Sequence, residues 1–401
     1  MGIVDSKSGN ETQVSVEELK AAALRMRQDI ILCTTAAGSG HPGGSLSATD
    51  FMTALYFRVA RHDPKAPKWP GRDRIFFSKA HITPAIYSVM ALSGYFPEED
   101  LVGFRKLGSP LQGHPNWLEL PGIEMSGGSL GQGISIAAGC ALSAKIYNEP
   151  YRVYAVMGDG EQQEGSIWEA AEAAAHYCLD NLVGIVDKNG LQIDGKVCDV
   201  MKIDPLADRY RAFGWHVIEI DGHDMARILA AFDEARTVKG TPTVIIMDTV
   251  KGKGVSFMEN EAGWHGRAPK LDEGLKALKE LGADMAWADR LLKKGNELTE
   301  KIALEYGSKM PRQKRPYWWN SQDNMKVEMR ATRMGFGDAL EKAGQDPRVV
   351  TFGADISDSI CISQFYKPRH PERKGRWISV GIAEQNMTTM AAGLAKEGKI
   401  P

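Results

Sequence analysis

Cysteine is scarce and scattered. Five residues, Cys33, Cys140, Cys178, Cys198 and Cys361, are spread over 401 positions without a Cys-x-x-Cys pair. That excludes a disulfide framework or a thiolate zinc site as the organising feature and fits a reducing cytosol. Long apolar runs are missing too: no stretch approaches the ~18 consecutive apolar residues of a membrane span, and the polar start of the chain offers no secretory signal. Neither sign of charge is in excess, since 49 Lys and Arg against 51 Asp and Glu leave a net charge of −2. The electrostatic footprint of a nucleic-acid partner is therefore absent. Met1–Ser6 fits the short myristoylation pattern and Asn10-Glu11-Thr12 is a sequon, but the first is a weak pattern and the second has no meaning without secretion. There is no internal repeat and no low-complexity tract.

What is present is ordinary globular material with one excess. Hydrophobic residues make up 43% and charged residues 25%, near the average of soluble domains, and the length predicts two or three domains. The 42 glycines exceed the usual ~7%. They cluster at 38–44, 127–133, 158–165 and 252–254, where backbone must take unusual dihedrals or approach a ligand.

Helical spacing marks Val16 to Ala36 and Ser47 to Ala60. The intervening Gly38–Gly44 segment reads as loop. Short β-rich runs then alternate with helical stretches: Arg74 to Ser78, Arg152 to Met157, Leu182 to Asp187, His216 to Ile220 and Thr243 to Asp248. This predicts an α/β fold with a doubly wound parallel sheet, whose ligands sit at the carboxyl ends of strands. From Leu271 the composition turns Lys/Glu/Leu-rich, with Lys276, Lys279, Lys293 and Lys294 expected to face Glu280, Glu297 and Glu300 on a solvated connector. Pro311–Pro316 reads as a linker, and Trp318-Trp319 as a docking pair beside it. A second α/β pattern follows, with a helix at Met334 to Ala343, strands at Val349 to Gly353 and Trp377 to Gly381, and a helix at Gln385 to Ala395. The expected boundaries are 1–270, a connector over 271–325, and an incomplete second domain over 326–401.

The strongest constellation is Gly158-Asp159-Gly160 after one strand and Asn189 after the next, followed by Ile193-Asp194-Gly195. Two adjacent strand ends would bring a carboxylate and an amide oxygen together as hard ligands for magnesium holding a diphosphate. Gly160 would let backbone N–H groups approach phosphate near the helix that begins by Ser166. Alone, Gly-Asp-Gly is an ordinary turn; the spaced Asn changes its meaning. Two other patterns fail on context. Gly190–Val197 mimics a phosphate loop but has Val197 for the needed Ser or Thr and no obvious helix after it, and Gly127–Gly131 mimics a hydrolase elbow with no strand before it. Four histidines, His41, His81, His114 and His265, lie in Gly- or Pro-flanked segments suited to presenting an imidazole, which exchanges protons near neutrality. His62, His176, His216, His223 and His370 read as structural.

These stretches resemble the transketolase family. The matching segments are Ser39–Gly44, Asp73-Arg74 with Ser78–His81, Gln112–Pro115, Gly128–Gly133, Gly158–Gly165, Asn189–Gly195, Lys251–Gly254 with His265, Ala331–Arg333 and Gly381–Asn386. They run in family order over nearly the whole chain. The resemblance implies a thiamine diphosphate-binding fold followed by the first part of a pyrimidine-binding domain. It implies transfer of a two-carbon ketol unit from a ketose phosphate to an aldose phosphate in the pentose phosphate pathway. Thiamine diphosphate and Mg2+ (or Ca2+) are the implied cofactors, with Asp159, Asn189 and Leu191 as metal ligands. His81, Gly128, Leu130, Asp159, Gly160, Glu164, Asn189, Ile193, His265 and Glu384 are the implied cofactor contacts. His41, His114 and His265 would contact the sugar and move protons, Arg333 and Ser359 would hold its phosphate, and Glu384 would hydrogen-bond the aminopyrimidine. A cytoplasmic homodimer with its active site at the subunit interface is implied, with no nucleic-acid or membrane partner. Gly381–Asn386 also resembles 1-deoxyxylulose-5-phosphate synthase, but His41–Gly44 and Ser129–Gly133 favour transketolase, over dihydroxyacetone synthase as well. The family's second domain extends past the point matching Pro401, so two expectations stay open: a piece of an ordinary enzyme, which the half-built second sheet favours, or a cofactor-binding split subunit inactive alone.

Overall fold

Parallel pairing of the apolar runs is the first feature of the computed structural model, which describes residues 14–307, 330–367, 369–385, 387–388, 391, 395 and 399–401. In chain order the strands are β1 (Arg74–Phe77), β2 (Val153–Gly158), β3 (Leu182–Lys188), β4 (Leu191–Gln192), β5 (Gly195–Lys196), β6 (His216–Asp221), β7 (Thr243–Asp248), β8 (Thr351–Gly353) and β9 (Trp377–Ser379). The main sheet has the order β1-β2-β3-β7-β6, all parallel. β4 and β5 form a small antiparallel hairpin. The helices are α1 (Val16–Ala37), α2 (Pro42–Ala54), α3 (Thr83–Leu92), α4 (Gln132–Ile146), α5 (Gly165–His176), the single turn α6 (Val197–Val200), α7 (Leu206–Ala212), α8 (Met225–Thr237), α9 (Leu271–Glu280), α10 (Met285–Gly307) and α11 (Thr332–Ala343).

Successive side chains of a strand point to opposite faces, so a doubly wound sheet needs two cores. Along β2, Tyr154 and Val156 join a core with α1, α2, α3 and α8. Val153, Ala155 and Met157 join another with α4, α5 and α7. Helix ends follow local chemistry. α1 opens with a capping box in which the Ser15 hydroxyl accepts the Glu18 N–H at 3.3 Å and Glu18 accepts the Ser15 N–H at 2.8 Å. It closes on Gly38 at φ 59°, a left-handed cap that favours glycine.

The Gly38–Gly44 loop is shorter than the sequence suggests: Pro42, Gly43 and Gly44 form the first turn of α2. Proline is tolerated there because the first helical N–H has no intrahelical partner. Glycine is required for space, since a Cβ at Gly43 would lie 2.9 Å from the Trp264 carbonyl oxygen and 3.0 Å from Lys251 Cγ. Gly43→Ala is therefore expected to destabilise the chain by about 1–3 kcal/mol through overpacking against backbone, despite alanine's better helix propensity. Urea unfolding at constant m-value measures it. A one-turn helix, α6, does follow Gly190–Val197, though Val197 still lacks the hydroxyl of a phosphate loop.

The chain divides between Asn296 and Glu297 into two units. In the first, the expected solvated connector is an amphipathic pair. Gly274, Ala277 and Leu278 of α9, and Ala288, Leu291, Leu292 and Gly295 of α10, are buried. Lys294 pairs with Glu99 at 2.8 Å rather than with a glutamate of its own helix, and Glu280 accepts the Ser256 N–H at 2.7 Å. In the second unit β8 and β9 are parallel, and Ile400 makes a parallel bridge to Val349, outside both strands. α11 packs against the turn Ile362–Phe365. The expected linker Pro311–Pro316 and the pair Trp318-Trp319 lie outside the described residues, as do Met1–Ser6, the sequon at Asn10 and Asn386.

Candidate active site

The carboxyl ends of β2 and β3 are neighbours because Gly158 registers with Asp187. Asp159 and Asn189 follow them directly. The Asp159 carboxylate is buried and accepts the Gly160 N–H at 2.8 Å and the Gly190 N–H at 2.6 Å, so it joins both strand ends. Burial, then the Asp187 carboxylate, pushes its pKa up to about 6 against the opposing pull of Lys251. Asn189 has its amide orientation fixed from below. Its Nδ2 donates to Asp187 Oδ2 at 3.3 Å and Ser47 Oγ at 3.4 Å, and its Oδ1 accepts the Leu191 N–H at 3.2 Å. The Leu191 carbonyl accepts Lys251 Nζ at 3.0 Å, which leaves its second lone pair.

Beneath this set lies an ion pair that sequence reasoning missed. Lys79 and Asp187, whose side chains are 2% and 0% exposed, are joined directly. Burial alone would raise the Asp187 pKa. The Lys79 ammonium, with hydroxyls of Ser47 and Thr249, more than reverses this and holds it below the usual carboxylate range. Glu161 was also missed. It accepts the Ser78 hydroxyl and the N–H groups of Gly131 and Gly158, both at 2.8 Å, and so clamps the ends of β1 and β2 to the 128–133 loop. Burial raises its pKa, opposed by those hydrogen bonds. Gly160 and Glu164 are buried; Leu130 and Ile193 are half-buried, and Gly128 is exposed, with open space where its Cβ would be. Among the described residues no three His, Cys, Asp or Glu side chains gather to hold a metal, so a cation here would rest on carboxylate, amide and carbonyl oxygens together.

Three of the four singled-out histidines meet. The rings of His41 and His81 are 5.3 Å apart, His41 and His265 5.8 Å, and His81 and His265 5.0 Å. His265 Nδ1 lies 3.0 Å from Lys251 Nζ, so Lys251 links the histidines to Leu191. His41 contacts Arg105 through Nδ1 at 3.2 Å. Burial, then Arg105, lowers the His41 pKa to about 4. His81 and His265 are held well below the ordinary value, first by burial, then by His41 and Lys251 respectively. All three are thus neutral at pH 7. His114 is exposed beside Gly113, whose carbonyl accepts Thr83 Oγ1 at 3.0 Å. Partial burial, then Arg105, lowers its pKa.

The second unit places its candidates separately. Gly381, at φ 69°, turns the chain out of β9 into the helical turn that begins at Glu384. Glu384 and Ser359 are exposed past the carboxyl ends of β9 and β8, and Arg333 is exposed at the start of α11.

Comparison with known proteins gives the family. Residues 19–318 match the transketolase thiamine diphosphate binding domain, and residues 328–401 match the transketolase pyrimidine binding domain. The chain is 35% identical to a transketolase of Homo sapiens over 390 residues, 96% of this chain and 60% of that protein. It is 46% identical over 228 residues, 57% of this chain and 83% of the relative, to the 6-deoxy-6-sulfo-D-fructose transketolase subunit SqwG of a Clostridium species. It is 41% identical over 268 residues, 67% of this chain and 95% of the relative, to one subunit of the apulose-4-phosphate transketolase of Phocaeicola vulgatus. The crystal structure of a transketolase from Campylobacter jejuni superposes with a TM-score of 0.64 at 28% identity, covering 96% of this chain and 64% of that one. The chain spans about three fifths of the length of the first transketolases it matches. With both domain matches in family order over a doubly wound parallel sheet, the chain belongs to the transketolase family.

Proposed function

We propose that this chain is the larger part of a thiamine diphosphate- and magnesium-dependent transketolase. It would transfer a two-carbon ketol unit between sugar phosphates as a homodimer whose sites form at the subunit interface. The observation that carries the reading is the oxygen set where β2 and β3 end: the buried Asp159 carboxylate, Asn189 Oδ1 and the Leu191 carbonyl. These hard donors fit a divalent ion, magnesium or calcium. Asp187 already has its cation in Lys79, whereas burial holds the Asp159 pKa up, which favours a further positive charge there. Gly128, Leu130, Gly160, Glu164 and Ile193 would surround the cofactor, with His81 and His265 against its diphosphate side and Glu384 against its pyrimidine. When bound, thiamine diphosphate supplies the nucleophilic carbon and electron sink for cleaving the sugar's C2–C3 bond. The protein's part is orientation and proton transfer: neutral His41 and His265 each have a ring N–H to offer a sugar oxygen, with His114 at the exposed edge. Arg333 and Ser359 would hold the sugar phosphate, Arg by its planar fork of donors. The five free cysteines fit a reducing, cytoplasmic setting.

The relatives named as subunits favour a second reading, in which a complementary chain completes the site. The two readings differ in the intact mass of the native gene product and in whether it converts xylulose 5-phosphate and ribose 5-phosphate alone.

Asp159→Asn tests the metal seat itself. It removes a buried charge but leaves the Gly190 N–H without its acceptor, effects of roughly 1–3 kcal/mol that oppose each other. Stability without cofactor should therefore change little. At a hundred times Kd, magnesium thiamine diphosphate should stabilise the unsubstituted chain by about 2.7 kcal/mol, and the variant not at all. Chemical unfolding with and without the cofactor measures both; equal stabilisation of the variant would remove Asp159 from the site.

A further inference from the structure

We infer that Arg105 is a positioning residue that fixes His41 as the neutral tautomer with its proton on Nε2. A guanidinium carries only donors, so its contact with His41 Nδ1 at 3.2 Å requires the lone pair to be on Nδ1. The proton of the neutral ring then sits on Nε2. That edge of the ring faces Gly266, where an added Cβ would lie 3.5 Å from His41 Nε2 and Cδ2. The ring itself stands against those of His81 and His265.

The placement of Arg105 is costly to build. Its backbone is left-handed, φ 56°, an uncommon state for a residue with a side chain, and is held by its N–H donating to the Leu111 carbonyl at 2.8 Å. Its NH1 donates to Ser39 Oγ at 2.8 Å. Gly113 must be glycine to admit it, because a Cβ there would come within 2.9 Å of Nε. Nε is itself buried with no acceptor among the described residues. Strain, a cleared approach and an unmatched donor are all accepted so that one planar fork meets Ser39 and His41. A surface ion pair would need none of them. Lys251 stands in the same relation to His265, with its ammonium at Nδ1, so each ring has a cation at Nδ1 and carries its proton on Nε2.

Charged or titratable groups facing His41 are Arg105, His114 and Lys251, together with His81 and His265. Long-range proton–nitrogen NMR of histidine-labelled chain reads the tautomer directly and needs neither substrate nor cofactor. His41 is expected with protonated Nε2 and unprotonated Nδ1 in the unsubstituted chain. Arg105→Met should give a mixture of tautomers and raise the His41 pKa by about one unit, because a like charge is removed; Arg105→Lys should keep the Nε2–H form in part. A proton on Nδ1 in the unsubstituted chain, or the same pure tautomer in Arg105→Met, overturns the inference; the first reading stands even where a variant does not fold. The role in turnover rests on the proposed function. In the assembled holoenzyme, Arg105→Met should lower kcat on the order of a hundredfold with the donor KM nearly unchanged, and Arg105→Lys should recover part of it. A raised KM with kcat intact would assign Arg105 to substrate binding instead and overturn the positioning role. Absence of ketol transfer by the unsubstituted holoenzyme would defeat the proposed function while leaving the tautomer result as it stands.

Discussion

Replacing Lys79 with methionine is expected to destabilise the chain by about 3–5 kcal/mol at pH 7, because it strands one charge of a buried pair. Asp187 is fully buried and Lys79 nearly so, and the hydroxyls of Ser47 and Thr249 with the Asn189 amide complete the carboxylate's shell. Methionine keeps the side-chain length and apolar stem, so the loss is electrostatic. The pH dependence gives the sign. The Asp187 pKa is depressed in the folded chain, so its contribution is present above the unfolded carboxylate pKa, ~3.9, and is lost as pH falls through the lower folded value. In the variant the buried acid takes up a proton, so the deficit should be largest at neutral pH and narrow toward pH 4. Urea unfolding of both chains at pH 7 and pH 4 measures it. An equal deficit at both values would show that packing, not charge, explains the effect. The loss should also reach the site, since Asp187 is what turns the Asn189 amide nitrogen inward; cofactor stabilisation should be weaker in Lys79→Met than in the unsubstituted chain.

How much of this was legible in the sequence depends on the range of each interaction. Strands such as Thr243–Asp248 declare themselves because a parallel strand buried on both faces is a continuous apolar run. Asp159 and Asn189 were visible because each is a polar group immediately past the carboxyl end of such a strand, and adjacent parallel strands place those ends side by side. The start of α2 was misread because glycine and proline are ambiguous: Pro42 and Gly43 would break a helix interior but are compatible with its first turn. Lys79 and Asp187 are 108 positions apart, and each alone reads as a polar residue ending a strand. Glu161 and Arg105 were hidden for the same reason, their meaning lying in partners from distant loops. The Lys294–Glu99 pair shows the reverse error, since intrahelical spacing offered a nearer glutamate than the tertiary structure uses.

Glu384→Gln is expected to lower kcat on the order of a thousandfold in the assembled enzyme, with little change in affinity for magnesium and the diphosphate. Gly381 and the end of β9 fix where this carboxyl stands: left-handed backbone at Gly381 redirects the chain into a turn in which the Met387 N–H donates to the Ala383 carbonyl at 2.9 Å and Thr388 Oγ1 donates to the Glu384 carbonyl at 3.0 Å. The backbone of Glu384 is thereby anchored while its side chain is exposed in its own unit. An exposed first-turn glutamate that only complements a helix dipole contributes about 0.3–1 kcal/mol to stability, and glutamine would cost no more than that. A carboxyl that hydrogen-bonds the aminopyrimidine must instead pass a proton to and from a ring nitrogen there, which glutamine's amide, far weaker as both acid and base, does not do. The substitution keeps shape and one acceptor, so binding and folding serve as internal controls. Magnesium thiamine diphosphate titration should give a similar Kd for both proteins, and unfolding midpoints should agree closely, while turnover with xylulose 5-phosphate and ribose 5-phosphate separates them. Full turnover in Glu384→Gln would return this residue to its helix-start role and leave proton transfer at the pyrimidine to be sought elsewhere.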